Sequence, residues 1–331
     1  MKSNKKFFKN SKILPVDKFF ENVLYDKNFG YYNSQNPIGN EGDFLTAPKI
    51  STLFSEVIAI WIVSTWEIFK KPKNFNIVEL GPGDGSLTNI LLKSFKRFPE
   101  FNSAKKLFLY EKSSFLKKVQ KNNIIGKEVK WIKNFSKIKK GPVIFFGNEF
   151  FDAIPIKQFR KIKGVLHEKN YKLENNFKIK ECYKKTSREN TRIIHSYKSL
   201  KKLNFIELPK LGLQELKKIT EKVLKLKGCI LLIDYGYYKS NNQSTLQSVK
   251  KHKKNNLLSN LGRADITAHV NFSLLKEFFS KNNLANKNII TQKEFLENMG
   301  ILERAKIVAK KMKFREQANL YLRIKRLLSV R

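Results

Sequence analysis

Two rhythms of apolar positions divide this chain. Between residues 51 and 69, Phe54, Ile58, Trp61 and Ile62, with Val57 and Thr65 beside them, recur at the spacing of one helical face. The rhythm then changes to short apolar runs alternating with helical stretches. The run FNIVEL (75–80) ends in glycines and is followed by a helix pattern over 87–95. A second run at 106–111 precedes a helical stretch to Gln120, and further runs lie at 128–132 and 142–151. Strands alternating with helices in this way predict a mostly parallel, doubly wound α/β sheet with helices on both faces. Upstream, Pro15 opens a predicted helix over 16–24, Gly30 breaks the chain, and residues 36–50 are too rich in Gly, Pro, Asn and Asp for a regular element. Downstream, the alternation in FRKIKGVLHE predicts a β-rich insertion covering the sheet edge, and 228–236 reads as a central strand after a helix over 211–226. Residues 239–264 read as irregular, 271–283 as a helix capped by Asn271 or Ser273, and 301–331 as basic helix.

These elements suggest an organisation in four parts: an N-terminal helical segment with a lid (1–70), the first half of the sheet (71–157), an inserted β-rich lobe (158–210), and the second half of the sheet with a substrate-side insertion at 239–270 (211–331). With 41% hydrophobic residues and 27 phenylalanines, the chain has ample material for a core.

Charge alters the picture less than its size suggests. Lys and Arg total 67 against 28 Asp and Glu, a formal +39, but only 10 of the 67 are Arg and the lysines run through nearly every segment. Basicity spread in this way reads as solvated surface, and no specific nucleic-acid partner is expected. The two cysteines, Cys182 and Cys229, have no disulfide spacing, and the four histidines show no compact metal-ligand spacing, so no metal is expected. The apolar runs near 54–66 and 229–233 fall short of a membrane span, and the start lacks the apolar stretch of a secretory signal. A reducing, cytoplasmic setting is the resulting expectation.

The chemistry is concentrated in Val78-Glu79-Leu80-Gly81-Pro82-Gly83-Asp84-Gly85, a glycine loop between a strand and a helix. Ligands of open α/β sheets bind outside the carboxyl ends of the strands, and Gly81, Gly83 and Gly85 let the backbone turn and approach a ligand closely. The dinucleotide spacing GxGxxG is absent, Ser86 standing where the third glycine would fall. Glu79 would repel a pyrophosphate but suits the ammonium of S-adenosylmethionine, which carries no phosphate. Glu111, at the end of the second strand, can accept the ribose hydroxyls. At the end of the fourth strand GNEFFDAIP brings Asn148, Glu149 and Asp152 to the same rim, where polar groups between apolar neighbours are costly unless they bind something. Glu149 and Asp152 are candidates for positioning the methyl acceptor, because carboxylates fix a guanidinium bidentately, and Asn148 is a candidate for the cofactor side. The segment GNEGDFLTAP (39–48) offers Glu41, Asp43 and Thr46 on a candidate lid. LGRADITAHVNF (261–272) places His269 near Asp265, a candidate for acid–base or substrate work.

Taken together, LYDKNFGYY (24–32), GNEGDFLTAPKIS (39–51), VELGPGDGSL (78–87), GNEFFDAIPIKQF (147–159), DYG (234–236) and LGRADITAHVNFSLL (261–275) resemble the MidA family of class I S-adenosylmethionine-dependent methyltransferases. The resemblance implies a Rossmann-like core with an inserted lobe, cofactor held by residues 81–85 and Glu111, and a segment around Gly42 and Asp43 closing over the active site. It also implies a protein arginine as acceptor, such as one of a respiratory complex I core subunit. The alternatives are a methyltransferase-fold assembly factor that binds a partner without turnover, and a small-molecule or RNA methyltransferase. Lys49, Ser55 and Asn271 depart from the family pattern, the last standing where the family carries Asp. The chain also reaches Arg331 without the strand that usually ends members of the family, with the expectation that either the protein is truncated or its sheet lacks the final edge partner.

Overall fold

A computed structural model describes residues 4–34, 46–126, 128–239, 241–285 and 289–329. The chain forms two compact units, one from residues 1–37, 150–220 and 234–287 and the other from 38–149, 221–233 and 288–331. Their chain segments are interleaved in sequence.

The second of these is the parallel unit. Its sheet has five strands in the spatial order Cys229–Ile233, Val143–Asn148, Phe75–Leu80, Lys105–Tyr110 and Val129–Ile132, all pairs parallel. Chain order runs outward in one direction from Phe75–Leu80 and reverses beyond it, so the switch point of this Rossmann-like fold lies between Phe75–Leu80 and Val143–Asn148. Phe75–Leu80 is buried at every residue, as a strand covered on both faces should be. The Thr52–Ile68 helix starts at Ser51, whose hydroxyl accepts from the Leu53 amide. It joins Ser86–Phe95 and the terminal helices Ile301–Ala309 and Phe314–Leu328 in one core around Phe54, Trp66, Phe75, Phe95 and Phe101. The predicted central strand Cys229–Ile233 is instead an edge of this sheet among the described residues, half-buried along its length and paired on one side with Val143–Asn148. Its unbroken apolar run made it look interior.

The other unit is mainly antiparallel. Ile13–Pro15, Val165–Leu173, Lys157–Ile162 and Phe205–Leu208 pair in that order, with Ile179–Lys185 also on Val165–Leu173. An aromatic cluster of Phe7, Phe8, Phe19, Phe20, Tyr31 and Tyr171 forms its core against the Val16–Tyr25 helix. The expectation of irregular structure over 239–264 fails here, because Gln247–Lys250 and Lys253–Asn255 form a hairpin that also pairs with Asp265–Thr267. Its two turn residues, Lys251 and His252, both have positive φ, 49° and 61°. That backbone normally calls for Asn-Gly, so the turn carried no recognisable signal.

Candidate functional site

On the parallel unit the candidate site starts at the switch point. Leu80 ends its strand in register with Tyr110 and Gly147, and the next residues turn through Gly81, Gly83 and Gly85 at φ values of 61°, 57° and 84°. L-side chains are strained in that region, so three glycines here build a backbone cradle. At Gly85 a Cβ would also lie 2.9 Å from the Ile124 side chain. The Ser86–Phe95 helix begins directly after the loop, with Gly85 as its N-cap.

Two carboxylates lie buried at this rim. Glu79 accepts a hydrogen bond from the Thr88 hydroxyl at 2.5 Å. Burial pushes its carboxyl up to about 7, the Thr88 bond opposing the rise and the Asp84 charge adding to it. Glu111 accepts from the Ser113 amide at 2.7 Å and from the Gln120 amide at 3.1 Å, and burial again raises its carboxyl. Gln120 was not anticipated. Fully buried, it also donates to the Gly83 carbonyl at 2.8 Å and accepts from the Trp131 indole at 2.9 Å, tying loop, acid and neighbouring strand together. The one hint in sequence was a polar residue four positions after Leu116 on the buried stripe of its helix. Asp84 takes a 2.6 Å ion pair from Lys49 and a 3.0 Å bond from the Ser86 amide, so the departure at Lys49 has a defined partner in the glycine loop.

Asn148 ends the next strand, with its side-chain oxygen buried and without a hydrogen-bond partner. Glu149 follows with φ 52° and donates its amide to the Ile233 carbonyl at 2.8 Å. A glycine cradle without phosphate-binding spacing, two buried carboxylates and an unsatisfied amide oxygen form an acceptor-rich site. That set of acceptors fits an ammonium and ribose hydroxyls, and so fits S-adenosylmethionine.

Of the remaining predicted residues, Asp152, Asp265, His269 and Asn271 belong to the antiparallel unit. Asp152 is buried, one carboxylate oxygen accepting the Tyr235 hydroxyl and the other having no hydrogen-bond partner. Burial raises its carboxyl to about 6, against the opposing Tyr235 bond. Asp234 holds this turn by accepting from the Phe151 amide at 2.9 Å, and the Asp152 carbonyl accepts from Ala268 at 2.9 Å. Asp265 forms a second pair of the same kind, taking the Tyr32 hydroxyl at 2.9 Å. Burial pushes the Tyr32 hydroxyl well above its ordinary range, followed by the Asp265 charge; Asp152 also contributes, which places the two tyrosine–aspartate pairs within electrostatic reach of each other. Tyr25 stacks on Tyr32, with 5.2 Å between ring centroids, and donates to the Ala153 carbonyl at 2.9 Å. None of these tyrosines was singled out beforehand, since nothing in a sequence marks which Tyr will meet which Asp across 83 or 233 positions.

His269 is exposed, with its ring edge-on to Tyr235 at 6.2 Å, and it is the main-chain amide that donates to Thr245 at 3.0 Å. Asn271 caps the Phe272–Lys281 helix by accepting from the Leu274 amide at 3.0 Å. Thr46 precedes the Ala47–Ile50 turn of helix as its N-cap residue. Glu41 and Asp43 lie outside the described residues.

A family profile described as "Putative S-adenosyl-L-methionine-dependent methyltransferase" matches residues 57–291. The protein arginine methyltransferase NDUFAF7, mitochondrial, of Xenopus tropicalis is 30% identical over 324 residues, covering 90% of this chain and 74% of its own. Its Drosophila melanogaster homolog, also named mitochondrial, is 28% identical over 316 residues, covering 86% and 71%. In fold, the chain is similar to a Burkholderia thailandensis protein described as a COG1565 superfamily member and "likely methyl transferase", solved bound to S-adenosyl-homocysteine, at TM-score 0.79 and 20% identity over 96% of this chain and 84% of that one. The relatives' mitochondrial names overturn the cytoplasmic expectation. Two cysteines without disulfide spacing argue for a reducing setting but do not choose among reducing compartments. Among the described residues no helix is long and apolar enough to cross a membrane.

Proposed function

Because the chain belongs to this family of S-adenosyl-L-methionine-dependent methyltransferases, we propose that it methylates an arginine guanidinium nitrogen of a protein, such as a respiratory complex I core subunit. The observation that carries the acceptor class is Asp152, a buried carboxylate fixed by Tyr235 with one oxygen left without a hydrogen-bond partner. The relatives named as protein arginine methyltransferases support it, and the MidA resemblance supplies the complex I partner.

S-adenosylmethionine, when bound, supplies a methyl group already activated on a sulfonium. The protein's task is then to align and to exclude competing geometries. We assign the backbone of Gly81, Gly83 and Gly85, with Glu79 and Asn148, to holding the amino-acid end. Glu111 takes the ribose hydroxyls on lone pairs left over from Ser113 and Gln120. Asp152 receives the guanidinium in a charge-assisted hydrogen bond and orients one nitrogen. An arginine nitrogen that gains a methyl group must lose a proton, and the partnerless Asp152 oxygen, on a carboxyl already raised to about 6, is the group assigned to hold it. Glu149 is assigned to positioning beside Asn148, and Asp43 to closure of the lid segment.

Labelled donor, incubated with the protein and an extract from cells lacking its gene, should yield labelled arginine in peptides read by mass spectrometry. Label on lysine, on RNA or on small molecules alone would sink the arginine assignment. The reading as a partner-binding protein without turnover drew on Asn271 in place of an acid. Its capping bond to Leu274 accounts for that position by itself, because Asn and Asp cap helices about equally well.

A further inference from the structure

The helical end of the parallel unit combines dense positive charge with a concentration of arginine. Residues 304–326 contain nine Lys and Arg and one acid, Glu316, within 23 positions, against +39 over all 331. Four of the chain's ten arginines stand there. Arginine, with its planar fork, is the basic residue best matched to phosphate oxygens, so this segment is richer than the rest in the kind of charge suited to phosphate.

A second feature coincides with it. The Phe314–Leu328 helix buries Leu320, Ile324 and Leu327, which fixes the face it turns inward. On the opposite face Phe314, Ala318 and Leu322 recur every fourth residue, and Phe314 and Leu322 are 86% and 64% exposed. Exposed Arg315, Lys325 and Arg326 border that stripe. Lys310, Lys311 and Lys313, also exposed, lead into Phe314 from the preceding helix Ile301–Ala309, on which Ile307 is 56% exposed. A solvated helix gains nothing by turning a phenylalanine and a leucine outward in register.

We infer that the surface formed by residues 310–326 docks peripherally on an anionic lipid bilayer. Phe314 and Leu322 enter the headgroup region and the surrounding Lys and Arg pair with lipid phosphates, the arrangement of a helix that lies in the interface without spanning it. Nucleic acid would use the same charge but leave the apolar stripe without a partner. The inference is independent of the methyl acceptor.

The test is flotation of the full chain with vesicles of phosphatidylcholine alone and of phosphatidylcholine with about one-third phosphatidylglycerol. Binding to the anionic vesicles should exceed binding to the neutral ones by about tenfold or more. The triple variant K310E/K311E/K313E should lose about tenfold of it, and F314S/L322S should lose a comparable share with no change of charge. K137E/K139E/K140E, an equal charge change at three other exposed lysines, should lose less than about twofold. Melting followed by circular dichroism verifies that each variant is folded, and the lysine variants carry the test if F314S/L322S is not. Equal losses from the two triple variants would show attraction by net charge alone and overturn the proposal. So would indifference to F314S/L322S, or tighter binding of an RNA duplex through the same residues.

Discussion

Buried carboxylates define the candidate chemistry of both units, yet the two units hold them by different means. In the parallel unit Glu79 and Glu111 sit within a few residues of a strand end and are gripped by near neighbours, Thr88, Ser113 and Gln120. In the antiparallel unit Asp152 and Asp265 are held by Tyr235 and Tyr32, each more than 80 residues away in sequence. The first kind of site is made by local folding of strand, loop and helix, so it suits a ligand that many proteins share. The second exists only when distant segments have come together, and in the proposed function it is the part that receives the acceptor.

The comparison breaks most visibly at Asp152. D152N should lower turnover by on the order of 10²–10³-fold while the affinity for S-adenosyl-homocysteine in titration calorimetry changes little. A comparable loss of affinity would move Asp152 to the cofactor and erase the division of labour. On the other side, Q120L should cost about 1–3 kcal/mol of stability by leaving the Trp131 indole and the Gly83 carbonyl without their partner, a fall visible in the melting temperature, with cofactor affinity weakened as well. G85V places a β-branched side chain at φ 84° against Ile124 and should cost about 1–3 kcal/mol, expressed chiefly as lost S-adenosyl-homocysteine affinity.

A smaller effect separates the acids by pH. Glu79 has its carboxyl at about 7 in the free protein, and pairing with the cofactor ammonium would lower it. Affinity should therefore be flat above pH 7 and fall by up to about tenfold per unit below it, as the proton must be displaced for the pair to form. E79Q should flatten that profile; a slope unchanged in E79Q would assign the titration to another group. The smallest effect belongs to N271D. Exchanging one good helix cap for another should shift stability by less than about 0.5 kcal/mol and leave turnover within about twofold. A large gain of activity in N271D would instead restore the acid a role in gripping the acceptor.

The same contrast explains what could be read in advance. The Phe75–Leu80 strand, its glycine loop and Glu111 were legible because apolar runs, glycines and acids lie side by side in sequence. Ser51 and Asn271 were legible as helix boundaries for the same local reason. The edge position of Cys229–Ile233 was hidden by its unbroken apolar run. The hairpin around Lys251 and His252 was hidden because residues that seldom adopt positive φ do so there. Tyr32, Tyr235 and Gln120 escaped notice because their importance lies in partners, which only the tertiary fold chooses.

Gln120 gives the protein one further property. Its carboxamide oxygen receives the half-buried Trp131 indole while its nitrogen holds Gly83 and Glu111. Trp131 is one of three tryptophans in the chain, and Trp66 is engaged elsewhere, with the Pro72 carbonyl. With Glu111 taking the ribose as proposed, an indole bonded to the same carboxamide is a built-in optical gauge, so the emission of Trp131 should report occupancy of the donor site without any added label.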